Sequence, residues 1–432
     1  MNFRAGVLAL FLLVSVVVSA EPQSWPPELE GAKNGTVSLR SELFLQVPDA
    51  VQASVADGTA TPFHVARTPP TVDLAFQRDL GTDAVNRRLW SSWGDICVAS
   101  DGTVYCGIGD HGNDAGGDAR CFIYRWFPDR KELRQIVDMS KVVPSRPDQP
   151  ALSKVHARID EAPDGKIYFS CTLNDGNRAR LPQFHWTDQL PGGQLYQYDP
   201  ATGRTVVFAD LPAKRCTATS LLDRERNIWW CNLEAGDGNA LWGLNLTDKQ
   251  VVHQSPDGSI TFNRNFALGR DGSIYFNGED GIWKYYSNTR QVKNTGVAFP
   301  DSPGMRSSTR ESSRGYIYGT THGTNQLFQY CPATNELELL GPTWLTGEYT
   351  AVTVLSPDER FLYYVPGAHG RAFRWMIHNI PNHFDDMSAD GSTLYVNFNG
   401  HAADSIRPAH MCPNGFGLCA FAAIHIPEGA RQ

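Results

Sequence analysis

The sequence predicts an all-β protein built as a seven-bladed β-propeller. One unit occurs seven times: an apolar strand, a tight turn carrying Asp-Gly or a substitute, and a second strand that begins with an aliphatic–aromatic pair. Because Asp-Gly between alternating hydrophobic residues is the strongest short-range hairpin signal, each unit predicts two antiparallel strands. Units repeated every roughly 40 to 60 residues are typical of propeller blades. Seven units predict seven blades.

The repeat is explicit along the chain. The pairs on the second strands are Val104-Tyr105, Ile167-Tyr168, Ile228-Trp229, Ile274-Tyr275, Ile317-Tyr318, Leu362-Tyr363 and Leu394-Tyr395. The turns before them are Asp101-Gly102, Asp164-Gly165, Arg226-Asn227, Asp271-Gly272, Arg314-Gly315, Asp358-Glu359 and Asp390-Gly391. A third strand usually follows, as at 122–126, 194–198 and 326–330.

The N-terminus predicts export and the remainder predicts one domain. The first 20 residues match a cleavable secretory signal, with Arg4, an apolar run at 7–18 and Ser19-Ala20 before Glu21. The apolar run is too short to span a bilayer. Residues 21–40 form an irregular N-terminal segment, and the propeller spans 41–430. A strand at 43–47, around Leu43, is expected to complete the last blade and so close the ring. We therefore expect a secreted, extracellular or periplasmic protein.

Charge limits the class of partner. Lysine and arginine number 38 against 46 aspartate and glutamate, and no basic run interrupts this mild acidity. The balance argues against nucleic acid. It favours neutral partners, or anionic partners where arginines are focused locally. A monomer without a membrane span is expected.

Nine cysteines in an exported chain suggest disulfides, although an odd number leaves one unpaired. A two-residue turn at Asp101-Gly102 would set Cys97 opposite Cys106. Cys412 with Cys419, and Cys216 with Cys231, are the other candidate pairs. Buried thiols without bridges are the alternative, since cysteine is among the most buried residue types.

Four histidines follow second strands at a similar register and should approach one mouth of the central channel. They are His111, His322, His369 and His401. Residues at or near the starts of the innermost strands share that face: Trp93, Asp95, His156, Arg158, Arg215, Arg306, Arg310, Tyr349, His383 and Asp385. The long loop at 172–193 carries Trp186, which with Trp93 is suited to stacking on sugar rings. Alternatively, each histidine only hydrogen-bonds a loop backbone.

The cofactor question stays open at this stage. Histidine with aspartate suits Zn or Mn, and aspartates suit Ca, but no local ligand motif supports a metal. Arg158, Arg306 and Arg310 lie in otherwise apolar or small-residue inner strands. An arginine there needs an anionic partner, either a neighbour such as Asp160 or Glu161 or the carboxylate of a ligand.

Three segments carry a family resemblance: WGDICVASDG at 93–102, IGDHG at 108–112 and VHARIDEAPDGKIYF at 155–169. They resemble secreted seven-bladed propellers that cleave rhamnose–glucuronate linkages of plant arabinogalactans, a group of polysaccharide lyases and rhamnosidase-like enzymes. The chain is also similar in architecture to ulvan and oligogalacturonate lyases. The resemblance covers about 90–400 and is architectural beyond the first two blades. Fold likeness alone does not establish an activity.

The resemblance implies β-elimination beside a uronate of an acidic plant or algal polysaccharide. Such a reaction needs a group that neutralises the carboxylate, a base for the C5 proton and an acid for the leaving oxygen. Arg306 with Arg158 or Arg310 suits the first role, His111 or His322 the base, and Tyr349 or a second histidine the acid. His156, His369, His383, Trp93 and Trp186 are expected to bind substrate.

Three alternatives remain. A glycoside hydrolase needs two carboxylates, for which Asp95 and Asp385 are candidates. A non-catalytic platform for sugar or protein would keep the His-Gly turns for loop geometry alone. A gluconolactonase-like calcium propeller is disfavoured by the histidines and arginines at the mouth.

Overall fold

A computed structural model of the protein describes residues 26–47, 49–56, 65–80, 90–92, 96–110, 120–144, 152–173, 191–235, 238–343, 349–367, 382–400 and 418–431. Within these ranges the fold is an all-β propeller. No helix in them combines the length and apolar character that crossing a bilayer requires. The predicted signal at 1–20 lies outside the described residues and stays a prediction.

Two strands precede the first blade in the sequence. The N-terminal strands are β1 (Thr36–Arg40) and β2 (Thr71–Phe76), separated by a 3₁₀ helix (Glu42–Leu45) and helix α1 (Asp49–Ala56). Blade 1 contains β3 (Trp90–Ser91), β4 (Cys97–Val98), β5 (Val104–Asp110), β6 (Cys121–Phe127) and β7 (Glu132–Asp138), followed by helix α2 (Met139–Val142). Blade 2 contains β8 (Leu152–Val155), β9 (Asp160–Glu161), β10 (Ile167–Leu173), β11 (Gln194–Asp199) and β12 (Arg204–Asp210).

The remaining sheets continue in chain order. Blade 3 has β13 (Ser220–Asp223), β14 (Ile228–Ala235), β15 (Gly238–Asn245) and β16 (Val251–Gln254); blade 4 has β17 (Phe262–Leu268), β18 (Ile274–Gly278), β19 (Gly281–Tyr286) and β20 (Gln291–Asn294). Blade 5 has β21 (Met305–Ser308), β22 (Ile317–Thr321), β23 (Gln326–Cys331) and β24 (Glu336–Pro342). A two-stranded sheet has β25 (Tyr349–Leu355) and β26 (Leu362–Gly367), and the closing blade has β27 (Asn382–Met387), β28 (Thr393–Gly400) and β29 (Leu418–His425).

The blade count corrects the prediction. Among the described residues, six sheets have four or five strands, so the structure has six blades rather than seven. The unit around Leu362 forms only the hairpin β25–β26, whose inner strand packs between β21 and β27. An Asp-Gly repeat identifies hairpins, and a hairpin specifies only the inner two strands of a blade. Counting turns therefore overestimated the number of complete blades.

The repeated pairs lie at the starts of second strands, as predicted, but the turn at Asp101-Gly102 is one residue longer than expected. At the first turn, the Gly102 N–H donates to the Ala99 carbonyl, and the Ala99 N–H donates to the Thr103 carbonyl at 2.9 Å. Gly102 has φ of +80°, which a residue without a Cβ adopts without strain. The loop is therefore a three-residue turn with glycine in the left-handed position.

The longer turn shifts the register and excludes one predicted disulfide. Cys97 lies opposite Tyr105 instead of Cys106, so the two thiols face different sides of the sheet. Cys216 lies opposite Glu234 and Cys231 opposite Ser220, which separates that pair also. The eight cysteines in the described ranges form no disulfide with one another, and the predicted Cys412–Cys419 pair stays a prediction because Cys412 lies outside these ranges.

We expect peptide mapping without reduction to show no Cys97–Cys106 cross-link. The expectation rests on the register, since neighbouring positions along a strand project to opposite faces. Alkylation after unfolding, followed by mass spectrometry, should find both thiols modified. A cross-linked peptide containing both residues would contradict the three-residue turn.

The ring is closed by the N-terminus, but not by the predicted segment. Strand β2 pairs with the C-terminal β29, and β1 pairs with β2. Leu43 was expected to supply this strand and lies instead in the 3₁₀ helix, where its side chain is largely exposed. The Ser41 hydroxyl accepts the Leu43 N–H at 3.1 Å, which favours a helical turn there. The expected irregular segment at 21–40 also contains β1.

A buried carboxylate joins the strands of this closure. Asp73 on β2 is 1% exposed and accepts hydrogen bonds from the Ser38 hydroxyl on β1 and from Nε2 of His425 on β29 at 2.7 Å. The ammonium of Lys131, from blade 1, is 2.8 Å from the same carboxylate. We call these four residues the clasp. They connect both chain ends to the first blade.

Large aromatic side chains pack between adjacent blades. Trp126 of blade 1 stacks against Phe421 of the closing blade with ring centroids 5.2 Å apart. Trp229 and Trp242 of blade 3 pack with Tyr168 of blade 2. Burying such side chains contributes on the order of 2 kcal/mol each, and the contacts fix the angle between blades.

An asparagine fixes the start of the inner strand of blade 5. Asn277 on β18 donates to the Met305 carbonyl at 3.0 Å and accepts the Met305 N–H at 2.8 Å. Gly304 has φ of +148°, and a Cβ there would lie 2.4 Å from the Asn277 amide. The pairing holds β21 at a defined height in the channel and so sets the height of the arginines that follow.

Candidate functional site: an arginine cavity on the channel axis

The inner strand of blade 2 presents a polar row to the channel. From Val155 to Glu161 burial alternates strictly, with His156, Arg158 and Asp160 half-buried between buried neighbours. Side chains two residues apart project to the same face of a strand. The Arg158 N–H donates to the Ser220 hydroxyl at 3.1 Å, which ties this row to blade 3.

Arg310 reaches into the channel from blade 5. Its guanidinium donates to the Leu222 carbonyl of blade 3 at 2.8 Å. Solvent reaches the side chain, yet protein surrounds it closely enough that burial lowers the pKa of Arg310. The nearby positive charge of Arg158 lowers that pKa further, whereas Asp160 and Asp223 act in the opposite direction. The residue remains a cation, because an arginine guanidinium is not deprotonated in proteins.

Both arginines line one cavity of about 310 Å³, which we call the axial cavity. Its walls come from the inner strands of blades 1, 2 and 5, the two-stranded sheet and the closing blade, so it lies on the ring axis. Its polar lining includes Arg158, Asp160, Arg310, Thr353 and Asp386. The volume is at the lower end of the range for ligand pockets, about 300 to 1,000 Å³.

Two further side chains define what the axial cavity offers. Asp386 accepts the backbone N–H groups of Val98 and Met387, each at 2.8 Å. Thr353 is 4% exposed, and no hydrogen-bond partner for its hydroxyl occurs in the described part of the chain. A buried hydroxyl without a partner is costly, and a bound ligand atom would satisfy it. Two guanidiniums in one cavity suit an oxyanion, although Asp160, Glu311, Glu359 and Asp386 line the same cavity.

A second cavity of about 840 Å³ lies on the face that carries the Asp-Gly turns. We call it the turn-face cavity. Its lining includes the turn residues Asp101 and Asp390, the Phe127 ring and Ala389. Asp386 lines both cavities, so the two are neighbours.

The structure separates the arginines that the sequence analysis grouped. Arg158 and Arg310 meet at the axial cavity, whereas Arg306 is 7% exposed and does not line it. Arg306 precedes Arg310 by four residues on the inner strand, which corresponds to about 13 Å of extended chain. It lies toward the end of the channel where β22 runs into His322.

The backbone of His322 holds the loop that follows β22. Its N–H donates to the Gly304 carbonyl at 3.0 Å, and its own carbonyl accepts the Ser302 hydroxyl at 2.8 Å. The residue follows β22 and so lies at the opposite end of the hairpin from its turn. Tyr349 begins β25 opposite Gly367. His383 lies on β27 opposite Phe398.

His156 has a defined tautomer. Its Nδ1 is 2.7 Å from the Ala218 carbonyl oxygen, which only accepts hydrogen bonds, so Nδ1 carries the hydrogen. In the neutral ring the lone pair is then on Nε2, the form that a general base requires. His156 precedes Arg158 by two residues in the segment that links β8 to β9, and it does not belong to the lining of the axial cavity.

The remaining predicted residues cannot be located. His111, His369, Trp93, Trp186, Asp95 and His401 lie outside the described residues, so the common histidine mouth stays a prediction. Within the described ranges, no three histidine, cysteine, aspartate or glutamate side chains are grouped to hold a metal. Thr353 and Asp386, which the sequence analysis did not name, line the axial cavity, and the side chain of Asp385 lies outside the described part of the structure.

No protein-family model and no curated protein sequence matches the chain. Solved structures of similar shape include a catalytically inactive virginiamycin B lyase from Staphylococcus aureus with quinupristin, at TM-score 0.48 and 10% identity over 82% of this chain and 100% of that one. TolB from Acinetobacter baumannii has TM-score 0.37 and 12% identity over 72% and 61%. The calcium-binding protein regucalcin from Agrobacterium tumefaciens has TM-score 0.41 and 12% identity over 79% and 92%. All three are β-propellers, and similarity this distant carries no information on function.

Proposed function

We propose that this protein is a secreted carbohydrate-active enzyme that binds a uronate on the propeller axis and cleaves the adjoining linkage by β-elimination. The observation that supports the proposal is the approach of Arg158 and Arg310 to one cavity. A guanidinium binds a carboxylate through two parallel hydrogen bonds, which no other side chain reproduces. An acidic plant or algal polysaccharide is the proposed substrate.

The arginines would favour elimination by their charge. Neutralising the uronate carboxylate acidifies the C5 proton, which a base removes while the C4–O bond breaks and a C4–C5 double bond forms. An acid returns a proton to the departing oxygen. His156, two residues before Arg158, is the described candidate for the base, and His111, His322 and Tyr349 remain the candidates from the sequence. A divalent metal is not required for these steps.

A glycoside hydrolase is the second candidate, because Asp160 and Asp386 line the same cavity as the arginines. Hydrolysis generally uses two carboxyl groups that flank the scissile bond. Asp386 accepts two backbone N–H groups, which hold its carboxylate in place. One of the two carboxyl groups would act as the acid and the other as base or nucleophile.

Product analysis on three substrates separates these functions. The purified protein is incubated with gum arabic, ulvan and oligogalacturonate, and ultraviolet absorbance is followed together with new reducing ends. β-Elimination gives the absorbance of an unsaturated uronate, whereas hydrolysis gives reducing ends without it. Retention on the immobilised polysaccharide with neither product would indicate a non-catalytic binding protein and contradict both enzymatic proposals.

Export can be tested on the same protein. Cleavage after Ala20 should give a mature chain that begins at Glu21, and the N-terminus of the protein recovered from the extracellular or periplasmic fraction reports it directly. A full-length chain that starts at Met1 and stays in the cytoplasm would contradict the proposed location. It would leave the axial cavity unaffected.

A further inference from the structure

Blades 1 and 2 come into direct contact at two buried glycines of β5. A Cβ at Gly107 would lie 2.8 Å from the Cβ of Val155, and a Cβ at Gly109 would lie 1.8 Å from the Ser153 carbonyl oxygen. A larger residue at either position would therefore force β5 and β8 apart. The distance between the two blades is set here by the backbone and does not depend on a choice of side-chain rotamers.

A buried cysteine lies beside this contact on each blade. Cys121 on β6 is opposite Gly109, and Cys171 on β10 is opposite Val155. Residues directly opposite each other in an antiparallel pair project to the same face of the sheet. Cys121 therefore faces blade 2, and Cys171 faces blade 1. Their Sγ atoms are 3.7 Å apart, and each residue is at most 1% exposed.

The surroundings of the two thiols are apolar. Both belong to one core cluster with Val155, Leu173 and Tyr196. Burial raises the pKa of the Cys171 thiol, and the neighbouring Cys121 raises it further. Because the thiolate is the form that reacts in disulfide exchange, these sulfurs exchange slowly once the protein is folded. The pair therefore suits a permanent structural bond that forms as the chain folds, and it does not suit a reversible redox switch.

We propose that Cys121 and Cys171 form a disulfide that joins blade 1 to blade 2 when the chain folds under oxidising conditions. A disulfide is about 2.05 Å long, so the sulfurs, 3.7 Å apart, must approach by roughly 1.7 Å. The oxidant is another disulfide: one thiolate attacks it, and the second thiolate resolves the mixed disulfide. One S–S bond forms and one breaks, while two electrons and two protons pass to the oxidant, which leaves as two thiols. The proposed export would bring the chain to such oxidants, but the bond does not depend on the axial cavity.

Peptide mapping of the full chain tests the bond. The reduced, unfolded protein is refolded with reduced and oxidised glutathione, or with excess dithiothreitol, and free thiols are then alkylated. Trypsin cleaves on both sides of each cysteine, giving peptides 121–125 and 167–178. We expect these peptides to be linked in the glutathione sample and separate in the dithiothreitol sample. Protein produced in an oxidising and in a reducing compartment gives the same comparison where refolding is inefficient.

The bond should also stabilise the propeller. It closes a loop between residues 50 positions apart, and a loop of this length predicts a melting temperature about 5 °C higher in the oxidised protein than in the reduced one. Cys121→Ala should abolish this difference. Cys106→Ala is the matched control, because Cys106 is an equally buried cysteine of blade 1 outside the pair, and this variant should keep the difference.

Two results would overturn the disulfide. One is the recovery of Cys121 and Cys171 as alkylated thiols from the oxidised protein, and the other is a link from Cys121 to a different cysteine. A Cys121–Cys171 link without a change in melting temperature would overturn its stabilising role. Each of these results leaves the proposed function standing, since cleavage of polysaccharide is measured in a separate assay.

Discussion

Replacing Arg310 with glutamine weakens D-glucuronate binding by about 100-fold, the expected effect of losing a charge-assisted hydrogen-bonded pair in a partly desolvated cavity. Cleavage of a uronate-containing polysaccharide should fall at least as far, because the carboxylate must be neutralised before the C5 proton becomes acidic. Calorimetry measures the first effect and initial rates of unsaturated-product formation measure the second. Arg310→Lys should recover little, since an ammonium is a point charge without the planar pair of donors.

Arg306→Gln is the control that distinguishes the structure from the sequence-based assignment. The sequence analysis expected Arg306 to clamp the carboxylate, whereas the structure leaves it outside the axial cavity. The folded variant should therefore bind glucuronate within about twofold of wild type. Loss of binding in Arg306→Gln with retention in Arg310→Gln would instead favour the histidine end of the channel as the site.

The hairpins were predictable because their signals are local. Alternating apolar residues and turn chemistry act within about ten residues, and strands such as β5 and β18 begin at the predicted pairs Val104-Tyr105 and Ile274-Tyr275. Turn length was less accessible, since Asp-Gly occurs in both two-residue and three-residue loops. Because the loop has one more residue than expected, Cys97 lies opposite Tyr105 instead of Cys106.

The closing strand was missed for a physical reason. Strand β2 buries Asp73 and Ala75, so its inward face lacks the large apolar residues that identify a strand. The more apolar segment around Leu43 is exposed. The hydrophobic pattern therefore favoured the segment around Leu43. A carboxylate such as Asp73 can be buried when it is hydrogen-bonded, and a pattern of apolar residues does not reveal such a position.

The site was predictable along one strand but not across the channel. The alternation that sets His156, Arg158 and Asp160 on one face is a property of that strand alone. Whether Arg158 meets Arg306 or Arg310 depends on the height of blade 5 relative to blade 2, which packing between blades decides. Thr353 was missed because a threonine in an apolar strand has an ordinary structural explanation. Thr350 on the same strand also has a buried hydroxyl without a partner among the described residues, and only its place in the cavity wall distinguishes Thr353.

Breaking the clasp is expected to give the largest loss of stability. Asp73→Ala removes the acceptor shared by Ser38, Lys131 and His425 and should lower the free energy of unfolding by about 3 kcal/mol, since hydrogen bonds to a buried charge are among the stronger ones. Thermal unfolding measured by circular dichroism reports the change. Glu225→Ala, whose side chain is 82% exposed, should stay within about 0.5 kcal/mol of wild type.

The clasp also predicts how stability responds to acid. Burial by itself would raise the pKa of Asp73, but the hydrogen bonds from His425, Lys131 and Ser38 outweigh it, and the pKa lies below its usual value. The stabilisation is thus fully present above the ordinary carboxyl pKa of about 4 and is lost as the pH falls through the lowered folded-state value. Below about pH 4, the melting temperature of Asp73→Asn should depend less on pH than that of the wild type. An unchanged acid dependence in Asp73→Asn would show that other carboxyl groups govern acid unfolding and that the clasp carries no net charge-dependent stability.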